Sequence, residues 1–455
     1  MDRTPVKENK MGVMPVGRLL FSMSVPMMAS MLVMALYNIV DSMFVSRISE
    51  NALTALSMAF PVQNLMIAIS AGLGVGLNAV LSRALGAGDK KNVARGAANG
   101  VFILLCCAVG FALLGATCVR PFFEAQTDIT EIVEHGVTYT TIITVGSFGL
   151  FMQILFERLL QSTGRTTLTM FSQIIGAVTN IILDPILIFG LFGLPKMGVA
   201  GAALATIIGQ WFGAAAGFAM CVKMNPEIPL SMKGFRPHGA TIRRILTIGV
   251  PSVIMQSIGS VMTFLMNQIL IAFSATAVAV FGVYFKLQSF IFMPIFGMNN
   301  GTVPIVAYNY GAKRGDRMMQ AIRYSITAAI CIMIGGFLTF QIAAKPLLGI
   351  FDASEEMLRI GVPALRIISL HFPVAGFCIG SGTVFQALGY SIYSMINSLV
   401  RQLIVLIPCA FIIGKVTGDV TMVWYAFIAA EVASLILSAF FLRRIYRNVI
   451  KPLIK

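Results

Sequence analysis

Four acidic residues fall inside long apolar runs of this chain: Asp41, Glu157, Asp184 and Glu431. A charge in hydrocarbon costs several kcal/mol unless it is solvated or paired, so each needs a chemical reason. Asp41 stands in YNIVDSMF, with Tyr37 four residues before it and Asn38 three before it. Helical spacing puts all three on one face. Asp184 stands in TNIILDP, with Asn180 one turn earlier and Pro185 next in the chain. Proline removes a backbone donor and can bend the helix beside the acid. With a rise of ~1.5 Å per residue, Asp184 lies ~25 Å along a helix that begins near Thr167. Thr206 lies ~10 Å along the returning helix, and Asp41 falls near the far end of the first. Asp41, Asn180, Asp184 and Thr206 are therefore expected at one depth. Two carboxyls close together in low dielectric should not both ionise, so a proton or a small cation is expected between them. Such a site couples: loading it neutralises the pair, and a hinge at Pro26 or Pro185 lets the helices respond. The same movement would release a competing organic cation.

The other two acids read differently. Glu157 falls near the end of its helix beside Arg158, the pattern of a surface or snorkelling ion pair. Glu431 lies ~15 Å into the last helix, and its half of the chain also carries Lys286, Arg366 and Arg401 within spans. A structural ion pair and a substrate role both remain open for these residues.

The elements that must hold these residues repeat. A shift of 225 positions lays Pro26 on Pro251, Gln63 on Gln288, Gly72 on Gly297, Gly76 on Gly301 and Gly164 on Gly389. The register holds from Pro26 to the Met170/Met395 pair and then drifts by one to four residues. At the same shift Asp41 meets Met266, Asn180 meets Val405 and Asp184 meets Cys409. Two copies share a scaffold, and one keeps the acids. A direct hydrophobic repeat is a common plan of secondary transporters.

Hydrophobic residues make up 57% of the 455 and charged residues 11%. The mean hydropathy is +0.87. A water-soluble chain could not hide this much apolar surface, and the runs are continuous rather than alternating, which favours helices over a barrel. About twelve spans are expected: six in residues 1–222, a polar linker at 223–244, and six in 245–455. The fourth and tenth are read as unbroken, His135–Leu160 and Leu358–Ala387. Lys and Arg gather about four to one on the side of both termini and the linker, which places that side in the cytoplasm of a bacterial inner membrane. The net charge of +15 sits beside spans and does not indicate nucleic acid. Seven cysteines without a CxxC pair and three scattered histidines give no metal-ligand spacing. GLGVG at Gly72–Gly76 is mid-span, a close-packing motif rather than a phosphate loop. Met1–Lys10 reads as a short polar tail with no cleavable signal.

Several stretches together resemble the MATE (multidrug and toxic compound extrusion) family, and most of all its MepA-like and DinF-like branches. They are YNIVDSMFVSRI, LLQSTGRTTLTM, TNIILDPILIFG, GVAGAALATIIGQ, FKLQSFIFMPIFGMNNGTVPIVAYNYGAK and FQALGYSIYSMINSLVRQ. The resemblance implies two six-helix bundles in a V, a parallel internal repeat, and drug efflux driven by inward H+ or Na+. It implies a cation site of Asp41, Asn180, Asp184 and Thr206, with any Na+ held at the first three. Tyr37, Asn38, Gln63, Gln288, Lys286, Arg366 and Glu431 would line or support the cavity. The NorM-like branch carries acids on the seventh and tenth helices. Here the seventh has none and the tenth has Arg366 and His371, so a NorM-type site in the second half is not expected. The expected protein is a monomer in the lipid bilayer that exports amphipathic organic cations, without cofactor or nucleic acid and not an enzyme. The alternative is a flippase for a lipid-linked oligosaccharide or other amphiphile. A membrane enzyme ranks third, because no nucleophile–base pair is apparent.

Overall fold

The computed structural model describes residues 9–232, 234–351 and 353–454. Arg3, Lys7, Lys233, Asp352 and Lys455, counted in the charge pattern, lie outside the described residues, as does most of the expected tail. Every regular element among the described residues is a helix. Ten are long and apolar enough to cross a bilayer alone, and two bent pairs bring the number to twelve. Spans one to three are Val16–Ser46, Glu50–Gly86 and Lys90–Thr117. Spans five and six are Thr166–Phe189 and Val199–Met224. Spans seven to nine are Gly239–Ile271, Ala275–Gly311 and Gly315–Gly349. Spans eleven and twelve are Ser391–Thr417 and Val420–Leu453.

The expected unbroken fourth and tenth spans are corrected. Thr130–Val145 and Phe148–Ser162 meet at 43°, and Glu355–Ser369 and Phe372–Ala387 meet at 49°. The breaks fall at equivalent places of the two copies, so the bend belongs to the duplicated scaffold. Pro373 opens the second limb of the tenth span, where the first copy has Phe148, whereas Pro26 and Pro185 sit inside helices that stay continuous. The linker is also shorter than 223–244, because helix resumes at Gly239. The His238 ring closes that helix's first turn, its Nδ1 lying 2.9 Å from Thr241 Oγ1 and accepting from the Thr241 amide at 3.3 Å.

The duplication extends to single hydrogen bonds. Ser49 caps the second span by accepting from the Ala52 amide, and Ser274 caps the eighth by accepting from Ala277, both at 3.0 Å. Gly164 and Gly389 turn the chain after the fourth and tenth spans at φ 82° and 89°, a region open mainly to glycine. One local difference stands out. In the eleventh span Val400–Val405 forms a π turn, whereas the fifth is α-helical throughout. A π turn holds one more residue than an α turn, which accounts for one residue of the register drift in this region.

The chain packs as two compact units. One gathers Ala29–Val250, the other Lys10–Met28 with Pro251 onward. These units do not coincide with the sequence halves, because the leading parts of the first and seventh spans are exchanged. Within the first unit Gly76 lets the second span touch the seventh: a Cβ there would strike the Ile245 carbonyl and stand 3.0 Å from the Gly249 nitrogen. Within the second unit its twin Gly301 lets the eighth span touch the first, where a Cβ would stand 2.9 Å from Ser24 Oγ. Small residues permit such close backbone approach where no hydrophobic drive separates helix from lipid.

Candidate functional site

Asp41 reaches the site from the far part of the first span, Asn180 and Asp184 from the fifth and Thr206 from the sixth. All four belong to the unit containing Ala29–Val250. The fifth and sixth spans can close together because Gly176 faces Gly209, where a Cβ would come within 3.1 Å of the opposing carbonyl. Asn180, Asp184 and Thr206 are buried in that seam. Asn180 Nδ2 donates to Thr206 Oγ1 at 3.3 Å and to Asp184 Oδ1 at 3.5 Å. Thr206 Oγ1 in turn donates to the Ala202 carbonyl at 3.0 Å, so its lone pairs face the site.

The carboxyls of Asp41 and Asp184 lie within hydrogen-bonding reach of each other, and the Tyr37 hydroxyl reaches Thr206. Asp41 Oδ1, Asp184 Oδ2 and Asn180 Oδ1 are buried and have no protein partner among the described residues. An oxygen-rich nest of this kind offers acceptors and few donors. It suits a shared proton or a small hard cation, and it repels an anion. Asn38 lies at the surface of this face rather than in the seam.

Tyr139 was not singled out by the sequence. It is buried on the first limb of the bent fourth span, near Asp41, Tyr37 and Asp184, and accepts from Gln63 Nε2 at 3.0 Å. The repeat comparison carried a signal for it, since its twin is Ala364. Gln63 and Thr206 also border a water-sized cavity of about 30 Å³ with Met66 and Gln210.

The surface-pair reading of Glu157 is corrected. Glu157 is 4% exposed and Arg158 7%. Its carboxylate accepts from Gln153 at 3.1 Å and from Gln173 at 2.8 Å. The fifth span packs Gln173 over it, which proximity to the helix end concealed.

In the other unit Glu431 is buried and forms an ion pair with Arg401 at 3.5 Å, and its carboxylate lies 3.4 Å from the His371 Nδ1. Arg401 comes from the π turn, and His371 from the break in the tenth span. Lys286 and Arg366 stay at the surface; the Lys286 ammonium lies 5.9 Å from the Phe351 ring centre. Gln288 is half-buried.

A twice-repeated bundle of membrane helices, with a buried acid pair in one copy, defines a multi-span transporter. The chain belongs to the MATE family: the MatE family pattern matches residues 26–186 and again residues 251–412. It is 24% identical over 418 residues to the FAD transporter of Shewanella oneidensis, covering 89% of each chain. It is 25% identical over 419 residues to the multidrug export protein MepA of Staphylococcus haemolyticus, covering 90% of each. A solved structure described as the outward-facing conformation of a multidrug resistance MATE family transporter of the MOP superfamily matches 98% of this chain and 99% of its own. Its TM-score is 0.91 at 25% identity.

Proposed function

We propose that this transporter exports amphipathic organic cations in exchange for H+ or Na+, with Asp41, Asn180, Asp184 and Thr206 as the coupling site. The contact between Asp41 and Asp184 carries the reading. Two carboxylates cannot hold full charge at that separation without a cation or proton between them, so occupancy of the site and the position of the first span are linked. A transported organic cation and the coupling ion then favour opposite states of the same acids. The similarity to MepA supports a drug substrate. The bias of Lys and Arg supports an inner-membrane orientation with both termini cytoplasmic. The protein works as a monomer in the bilayer and needs no cofactor.

A second reading is transport of an anionic, phosphate-bearing amphiphile. The name of the Shewanella relative favours it, as do the surface cations Lys286 and Arg366. Membrane vesicles separate the two. Ethidium export against its gradient, driven by a pH or Na+ gradient, should fall ~100-fold in Asp41→Asn and Asp184→Asn, the scale of losing a group that carries the transferred proton. Wild-type rates in either variant would remove the coupling assignment. Uptake of FAD but not ethidium would establish the second reading.

A further inference from the structure

Glu157 is a buried acid that the coupling site does not use. The internal repeat shows that the scaffold does not require it. In the first copy Thr169 Oγ1 donates to the Glu157 carbonyl at 3.3 Å; in the second, Ser394 Oγ donates to the Gly382 carbonyl at 2.8 Å. These are the same bond, 225 residues apart. Where one copy has glycine, the other buries a carboxylate. Its two partners are equally confined to the first copy, since Gln153 answers to Cys378 and Gln173 to Ser398. Burial of an acid at membrane depth is costly and marks function rather than packing.

The site is built. Gln153 and Gln173 hold the two carboxylate oxygens, and the Oε1 of Gln173, a residue 8% exposed, has no partner among the described residues. The cluster therefore presents carboxylate and amide oxygens, its negative charge set beside a buried guanidinium. Arg158 is the charged neighbour, and its Nη1 donates to Gln161 Oε1 at 2.8 Å. From the sixth span, the Cys221 thiol faces the Phe156 carbonyl at 3.6 Å, and Gly213 makes room for the Gln153 amide.

Position gives the cluster its role. Gln173 and Asp184 lie eleven residues apart on the fifth span, ~16 Å along it. Between Thr166 and Asp184 every buried residue of that helix is polar or small. Glu157 lies five residues before the end of its helix, next to the 163–165 connection. We propose that Glu157, with the amides of Gln153 and Gln173, is a second station for the coupling cation, between the Asp41–Asp184 pair and the 163–165 end of the bundle. The proposal rests on the coupling reading above. A proton leaving the acid pair is taken up by the Glu157 carboxylate and then passed toward the partly exposed Arg165–Glu227 pair, beyond the buried Thr163 and Gly164; a Na+ would be held by the same carboxylate and Gln173 Oε1.

Purified protein in liposomes tests it in two arms. Infrared difference spectra, taken on a pH step and on Na+ addition at fixed pH, need no substrate. Glu157→Gln should remove a carboxyl signal that survives in Asp41→Asn and Asp184→Asn. A response to pH alone identifies the proton, and one to Na+ identifies sodium. In the second arm, uphill ethidium export by Glu157→Gln should fall about tenfold or more with ethidium binding unchanged. An unchanged spectrum, or export at the wild-type rate, overturns the station. If ethidium is not exported even by the wild type, the drug reading fails and the infrared arm still decides Glu157. Should Glu157→Gln fail to fold, Glu157→Gly, which carries the second copy's residue, replaces it. Failure of both would make the side chain structural and overturn the proposal.

Discussion

Asp41 and Asp184 show how one residue's meaning depends on its neighbours. Each is an acid on an apolar helix; only their meeting beside Asn180 and Thr206 makes an acceptor nest. Glu431 is the contrasting case, a buried acid matched by Arg401 and His371. Removing one partner of a buried pair leaves the other charge uncompensated, which costs more than the pair was worth. Arg401→Met should therefore destabilise the protein by about 3 kcal/mol, and adding Glu431→Met should recover most of it. Thermal unfolding of the detergent-purified single and double variants measures both. Equal losses in the two would show that the pair is not what matters there.

At the scale of elements, glycine spacing sets how close the helices come. Gly76 and Gly301 answer each other across the repeat and both meet backbone or a buried hydroxyl. A methyl group at Gly76 has nowhere to go, because the Ile245 carbonyl is main chain and cannot swing aside. Gly76→Ala should lower stability by about 1–3 kcal/mol, the cost of overpacking a tight contact. Gly110→Ala, with open space around it, should change it little. Melting curves of the two variants, side by side, test the seam. The bends of the fourth and tenth spans escaped sequence reading for a related reason. Gly146 and His371 occupy the same place in the two copies and share no side-chain chemistry, and Pro373 follows the break in one copy only, so no single residue type marks both bends. The π turn left a trace in the sequence, the slipping register, but nothing local marked it.

For the whole molecule, each compact unit borrows the leading part of a helix from the other sequence half. The second half expressed alone would lack Lys10–Met28, leaving the Gly297 and Gly301 contacts on the eighth span uncovered. Neither residues 1–222 nor residues 245–455 should give a stable monomer alone. Their co-expression should restore a complex that elutes as one species in detergent. Two independently stable halves would show that the exchanged segments contribute little.

Composition and periodicity by themselves determined the membrane setting, the helical class, the duplication and the identity of the acids. These follow from properties each residue carries alone: hydropathy, charge and spacing along a helix. The family pattern follows that duplication, its two matches beginning 225 residues apart and ending 226 apart. Only the tertiary structure decided that Asp41 touches Asp184, that Tyr139 stands beside them and that Glu157 is sealed under Gln173. Those facts depend on which helix faces are pressed together. Spacing along one helix cannot encode that, because it shows which residues share a face but not which neighbouring helix that face meets.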